Sequence, residues 1–262
     1  MIRAKGLYKQ FGRHAVLNGA DFVAERKKIT YIFGTSGGGK STLLKILIGA
    51  LKPDSGEVWY DTMNITQLSG RDLDPFRRKI GMLFQHGALL NSLTVGENIA
   101  LPIREHTPLD ENIIKIMIKM KLELVGLRDF EDLLPGQLSG GMKKRVALAR
   151  AIALDPEVVF FDEPTSGLDP IVASVITKLI ADLNRLLGLT CVVVAHAVDE
   201  AMRIADKIVI LYMGRVLAEG SPAEIRASAD PLVQQFITGS PDGPISFHAS
   251  SKDFREDLLV DR

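Results

Sequence analysis

Short apolar runs rich in β-branched residues alternate along this chain with longer stretches of helical periodicity, a pattern that predicts a parallel sheet covered by helices. The best buried-strand candidates are residues 29–33, 79–84, 158–161, 190–195 and 207–211. Residues 2–8, 20–24 and 57–61 read as an antiparallel fringe. Between Gln85 and Pro156 the strand signals stop, and residues 111–124 and 140–153 carry apolar positions at 3.6-residue spacing. That shift predicts a helical subdomain, residues 86–156, inserted into an α/β core built from residues 1–85 and 157–239. Residues 240–262 are punctuated by Ser-Pro, Gly-Pro and Ser-Ser, with Phe247, Phe254, Leu258 and Leu259 scattered among them. They form a C-terminal extension, either a loose tail or an arm that docks on another surface.

Composition narrows the class without naming a reaction. The 262 residues are 46% hydrophobic and 24% charged, enough to bury a full core. Lys plus Arg and Asp plus Glu each number 32, so no basic excess argues for a nucleic-acid footprint. No run approaches the ~20 apolar residues that a membrane span needs. The N-terminal Met1-Ile2-Arg3-Ala4-Lys5-Gly6 has no apolar signal region behind it. The single cysteine, Cys191, sits in an apolar run and reads as a small core residue, so a reducing cytoplasm is expected.

The most specific signal is Gly34-Thr35-Ser36-Gly37-Gly38-Gly39-Lys40-Ser41, directly after the apolar Ile29-Thr30-Tyr31-Ile32-Phe33. It matches G-x-x-x-x-G-K-[ST], a loop between a buried strand and a helix beginning at Lys40. Glycines let successive N–H groups turn inward on a polyphosphate, and the helix N-terminus adds partial positive charge. Lys40 then reaches the β- and γ-phosphates, and the Ser41 hydroxyl is offered to Mg²⁺. Later, Val158-Val159-Phe160-Phe161-Asp162-Glu163 ends a strand with adjacent carboxylates. Beside a phosphate loop, Asp162 is placed to hold Mg²⁺ and Glu163 to polarise a water aimed at the γ-phosphorus.

Leu138-Ser139-Gly140-Gly141-Met142 opens a helix with a capping Ser and two glycines, a second set of helix-end N–H groups. This segment resembles the LSGGQ signature of ATP-binding cassette (ABC) ATPases, with Met142 in place of the usual Gln. With the phosphate loop, the Asp162-Glu163 pair and the Ser166-Gly167-Leu168-Asp169 turn, the resemblance covers residues 1–237. It implies a P-loop NTPase of the ABC ATPase fold: an α/β, RecA-like core with an antiparallel β fringe and an inserted helical subdomain.

The resemblance also implies roles. Phe11 matches the aromatic that stacks on adenine, where most members have Tyr. Gly34, Thr35, Ser36, Gly37, Gly38, Gly39, Lys40, Ser41 and Thr42 would hold the nucleotide from one copy, and Ser139, Gly140, Gly141 and Asp169 from another. Gln85 matches the glutamine that contacts Mg²⁺ and the attacking water, joining Ser41 and Asp162 around the metal. His196 matches the histidine that touches the γ-phosphate and orients Glu163, although Ala197 follows it where many members have Asp. Catalysis would rest on Glu163, His196 and Gln85, with ATP and Mg²⁺ bound between two head-to-tail copies.

Residues 85–107, from Gln85-His86-Gly87-Ala88-Leu89-Leu90 to Arg104-Glu105-His106-Thr107, and the extension resemble the ATPase subunits of maintenance-of-lipid-asymmetry phospholipid transporters. That implies a homodimer on the cytoplasmic face of a bacterial inner membrane, bound to permease subunits, with a lipid-binding ring protein and a STAS-domain protein. A permease coupling helix would seat near Leu89, Leu90 and Leu93, and no nucleic acid is expected. Other ABC systems for lipoprotein release or import, and a soluble ATPase of iron–sulfur cluster assembly, remain as alternatives.

Overall fold

The computed structural model describes residues 1–245, and these build two sheets. Phe247, Phe254, Leu258 and Leu259, the expected anchors of a docking arm, lie outside the described residues. In chain order the elements begin with β1 (Ile2–Phe11), β2 (His14–Ala24), β3 (Ile29–Gly34), α1 (Lys40–Leu47), β4 (Ser55–Tyr60), β5 (Met63–Asn64), α2 (Asp74–Arg77) and β6 (Ile80–Leu83). Three helices follow, α3 (Val95–His106), α4 (Glu111–Leu124) and α5 (Gly140–Ala151). Strands and helices then alternate through β7 (Val158–Asp162), α6 (Pro170–Leu187), β8 (Thr190–Val194) and α7 (Val198–Ile204). The described chain closes with β9 (Lys207–Tyr212), β10 (Arg215–Gly220), α8 (Pro222–Arg226) and α9 (Pro231–Thr238).

The larger sheet has the order β10-β9-β3-β8-β7-β6, and only the edge pair β10–β9 is antiparallel. Its inner strands are apolar on both faces, as a covered parallel sheet requires. Tyr31, Phe33, Val159, Phe161, Cys191 and Val193 point into one core, which contains the apolar faces of α3, α4, α5 and α6. Their neighbours Ile32, Phe160, Val192 and Val194 point into a second core with Leu43, Leu44 and Leu47 of α1 and the antiparallel sheet β2-β1-β4-β5. The period-two alternation of each strand thus divides one apolar run between two layers.

Several boundaries differ from the sequence reading. The second fringe strand starts at His14 rather than Ala20, because its first half pairs with the end of β1, Phe11 opposite His14. Among the elements that the sequence reading did not delimit are α3 and β10. Helix α3 holds Pro102 in its interior, which masks the pattern, yet Thr94 and Glu97 form a reciprocal capping box at its start. Strand β10 is a half-exposed edge with no clean alternation.

Candidate nucleotide-binding site

Parallel strands carry their carboxyl ends to one edge of the sheet, and four of them end beside the predicted site residues. Gly34 closes β3, Asp162 closes β7, Gln85 lies just past β6 and His196 just past β8. Gly34 is packed so closely that a Cβ there would stand 2.1 Å from the Leu211 carbonyl oxygen. Gly39, at φ 99°, caps α1 and would set a Cβ 2.7 Å from the Val16 carbonyl oxygen. Between them the loop tightens, Gly38 N–H donating to the Thr35 carbonyl at 3.0 Å.

Lys40 is buried, and its ammonium donates to the carbonyl oxygens of Gly34 (2.9 Å) and Thr35 (3.0 Å), so the loop wraps its own cation. Burial pulls the Lys40 pKa below the usual lysine value, while the charges of Glu163 and Asp162 oppose that shift. Ser41 is exposed and Thr42 half-buried on the first turn of α1. Phe11, at the end of β1, is 51% exposed, with the Lys9 ammonium 5.6 Å from its ring centre. A cavity of about 350 Å³ joins Phe11, His14 and Val16 to Gly37, Gly38, Gly39, Lys40, Ser41 and Thr42. A larger hollow of about 650 Å³, beside Met117, Met120 and Leu187, contains none of these residues.

Opposite the loop, two predicted residues converge on the carboxylate of a third. Glu163 Oε2 accepts from Gln85 Nε2 at 2.9 Å, and Glu163 Oε1 lies 3.1 Å from His196 Nε2. Gln85 Nε2 also lies 3.4 Å from Ser166 Oγ. Glu163 itself adopts φ 46°, the left-handed region, with its N–H donating to the Val194 carbonyl at 2.8 Å. Asp162 is half-buried, and its pKa is raised by desolvation and by the neighbouring charge of Glu163, against Lys45, Lys144 and Lys40. Two adjacent carboxylates, with the Asp162 pKa still raised in spite of those three cations, suit a divalent cation. The Ser41 hydroxyl, the Asp162 carboxylate and the Gln85 amide oxygen form the all-oxygen donor set that Mg²⁺ prefers, so these residues fit that ion.

The signature segment is set apart. Ser139 caps α5 by accepting from Met142 N–H at 3.2 Å, and Asp169 caps α6 by accepting from Ile171 and Val172 N–H at 3.1 Å. Gly141 lies against α6, where a Cβ would stand 2.4 Å from Val172 Cγ1. Among the described residues, no hydrogen bond of Ser139, Gly140, Gly141 or Asp169 reaches the phosphate loop or the Glu163 group.

Other polar residues at the site escaped the sequence reading. Arg150 of α5 donates to the carbonyls of Gly87 and Ala88, each at 2.8 Å, and buried Asn98 of α3 bonds the backbone of Leu90, Leu93 and Thr94. Together they hold the loop after Gln85, which presents Leu90 to solvent. Glu200 of α7 is buried and accepts from Thr165 Oγ1 at 3.0 Å, tying the segment after His196 to the segment after Glu163. Lys144, in the basic run Lys143-Lys144-Arg145, is buried against the backbone of Gln85 and Glu163. No local signal distinguishes it from its exposed kind, because its burial is set by packing between elements.

Comparison with known proteins agrees with this architecture. The ABC transporter family matches residues 17–166. The intermembrane phospholipid transport system ATP-binding protein MlaF of Haemophilus influenzae is 45% identical over 259 residues, 99% of this chain and 98% of that protein. Its Escherichia coli K12 counterpart is 46% identical, covering 95% of this chain and 92% of that one. Among solved structures, the dimeric post-hydrolysis ATP-binding cassette MJ0796, bound to ADP and Pi, superposes with a TM-score of 0.78 at 33% identity, over 85% of this chain and 99% of that one. The cbiO1 protein of Clostridium perfringens, part of an ABC transporter complex, gives 0.80 at 30% identity, over 89% and 93% of the two chains. With that match over more than half its length and relatives this similar from end to end, the chain belongs to the ABC transporter family and carries its ATPase domain.

Proposed function

We propose that this chain is the ATP-hydrolysing subunit of a transporter that moves phospholipids between the inner and outer membranes of a bacterium. The observation that carries the reading is near full-length identity of 45% and 46% to two intermembrane phospholipid transport ATP-binding proteins. Residues 1–85 with 157–239 form the ATP-binding core, residues 86–156 the helical signature subdomain and residues 240–262 a C-terminal extension.

ATP lies with its adenine on Phe11 and its phosphates in the loop from Gly34 to Thr42, Lys40 turning from the Gly34 and Thr35 carbonyls to the β- and γ-phosphates. Ser41, Asp162 and Gln85 would hold Mg²⁺, which would supply positive charge against the phosphates. Glu163 accepts the proton of the attacking water, and the hydrogen bonds from Gln85 and His196 fix the direction of its carboxylate. Ser139, Gly140, Gly141 and Asp169 bond locally at the starts of α5 and α6 and, among the described residues, make no hydrogen bond to this chain's own phosphate loop; they act on the nucleotide of a second copy, and two copies form two sites. Dimerisation is in keeping with the dimeric cassette among the structural neighbours.

Among the described residues no helix is long and apolar enough to cross a membrane. In this reading the transport path is formed by partner permeases. They meet this chain on the inner-membrane face at the loop carrying Leu89, Leu90 and Leu93, with a STAS-domain protein and a lipid-binding ring completing the complex. The test is capture of the full chain from detergent-solubilised membranes, followed by reconstitution with ATP. Co-purifying permease and ATP-dependent phospholipid transfer between vesicles are the expected results. Soluble partners alone, with no lipid transfer, would overturn the assignment in favour of another ABC system.

A further inference from the structure

One of the buried cations touches the Glu163 group through its backbone. Lys144 lies on α5, one turn beyond the capped end that carries Ser139 and Gly141, and its side chain is 6% exposed. Its ammonium donates to the carbonyl of Gln85 and, at 3.3 Å, to the carbonyl of Glu163. Desolvation lowers its pKa, and the nearby charges of Glu163 and Asp162 favour its charged form. A cation buried at such a desolvation penalty and bonded to two carbonyls is costly unless those bonds do something.

The two acceptors are not arbitrary. They are the backbones of the two residues whose side chains bond each other, Gln85 Nε2 donating to Glu163 Oε2 at 2.9 Å. Glu163 is also held at φ 46°, a conformation that a residue with a side chain keeps only when its surroundings impose it. The Val194 carbonyl fixes its N–H side, and Lys144 fixes its carbonyl side. We propose that Lys144 is a positioning residue that clamps the Gln85 and Glu163 backbones together, so that a displacement of the signature helix α5 is transmitted to the direction of the Glu163 carboxylate. The inference rests on the reading of Glu163 as the base. It supplies a physical link inside one chain between the segment that meets the partner copy's nucleotide and the group that acts on its own.

A double-mutant cycle on the full chain tests it, reading steady-state ATP hydrolysis with Mg²⁺ for Lys144→Met, Glu163→Gln and the pair. Lys144→Met should lower kcat at least about 10-fold with KM for ATP within about twofold, Lys144→Arg should keep about a third of the rate or more, and Lys144→Met should cost under about twofold once Glu163 is Gln. Additive losses, a raised KM with unchanged kcat, or Lys144→Arg as slow as Lys144→Met would each overturn the clamp. If Lys144→Met does not fold, Lys144→Gln takes its place, and failure of both to fold assigns the residue to folding and overturns the proposal. Full activity in Glu163→Gln alone would sink the base assignment instead, and the same cycle reads that separately.

Discussion

The end of β7 and the start of α5 both carry residues suited to nucleotide hydrolysis, and they are equipped in opposite ways. Glu163 meets Gln85 from the end of β6, His196 from the end of β8 and Lys144 from α5, all within one chain. Ser139 caps its own helix, and Gly141 packs on Val172 of α6. One region is assembled by the fold, the other is left for something outside it. The difference teaches that a carboxylate must be aimed before it can act, whereas helix-end N–H groups need only be rigid and exposed to await a phosphate.

The largest effect should come from the assembled region. Glu163→Gln keeps the shape but cannot accept a proton, so turnover should fall by at least about 100-fold while ATP binding stays within about twofold, measured by hydrolysis and equilibrium binding. Turnover within about twofold of the unmodified protein would remove Glu163 as the base. His196→Ala deletes one of the contacts aiming that carboxylate, and should slow kcat by about 10- to 100-fold, with little change in KM. An unchanged kcat would mean that Gln85 alone suffices.

Phe11→Ala probes binding without aim. Losing a stacking platform worth ~1–3 kcal/mol should raise KM for ATP about 10-fold and leave kcat nearly unchanged. A fall in kcat instead would place Phe11 in the assembled region. Smallest is the stability cost of Ser139→Ala, about 1 kcal/mol for a lost cap, read as an earlier urea midpoint in the isolated chain. No shift would show that the α5 end is held by its packing on α6 alone.

Much of this was legible in the sequence wherever the signal is local. The periodicity over residues 111–124 coincides with α4, because Asp110 caps its start and Ile114, Ile118 and Leu122 recur on its buried face. The loop at Gly34 to Ser41 announces itself because each glycine answers a local backbone demand. Lys144, Arg150, Asn98 and Glu200 were not legible, since each is polar, ordinary in its own segment and given its partner by packing between distant elements. The resemblance to ABC ATPases supplied Gln85 and His196, which spacing alone leaves as an amide and a histidine at strand ends.

The central claim, that one region is complete in each chain and the other is lent to a second copy, has a direct measurement. Lys40→Ala and Gly141→Asp chains, each folded and inactive alone, are mixed under conditions where subunit exchange is demonstrated, and ATP hydrolysis is recorded. In a mixed dimer one site carries both lesions and the other neither, so activity should return to about a quarter of that of the unmodified protein for random pairing. A mixture as inactive as either parent would contradict the account.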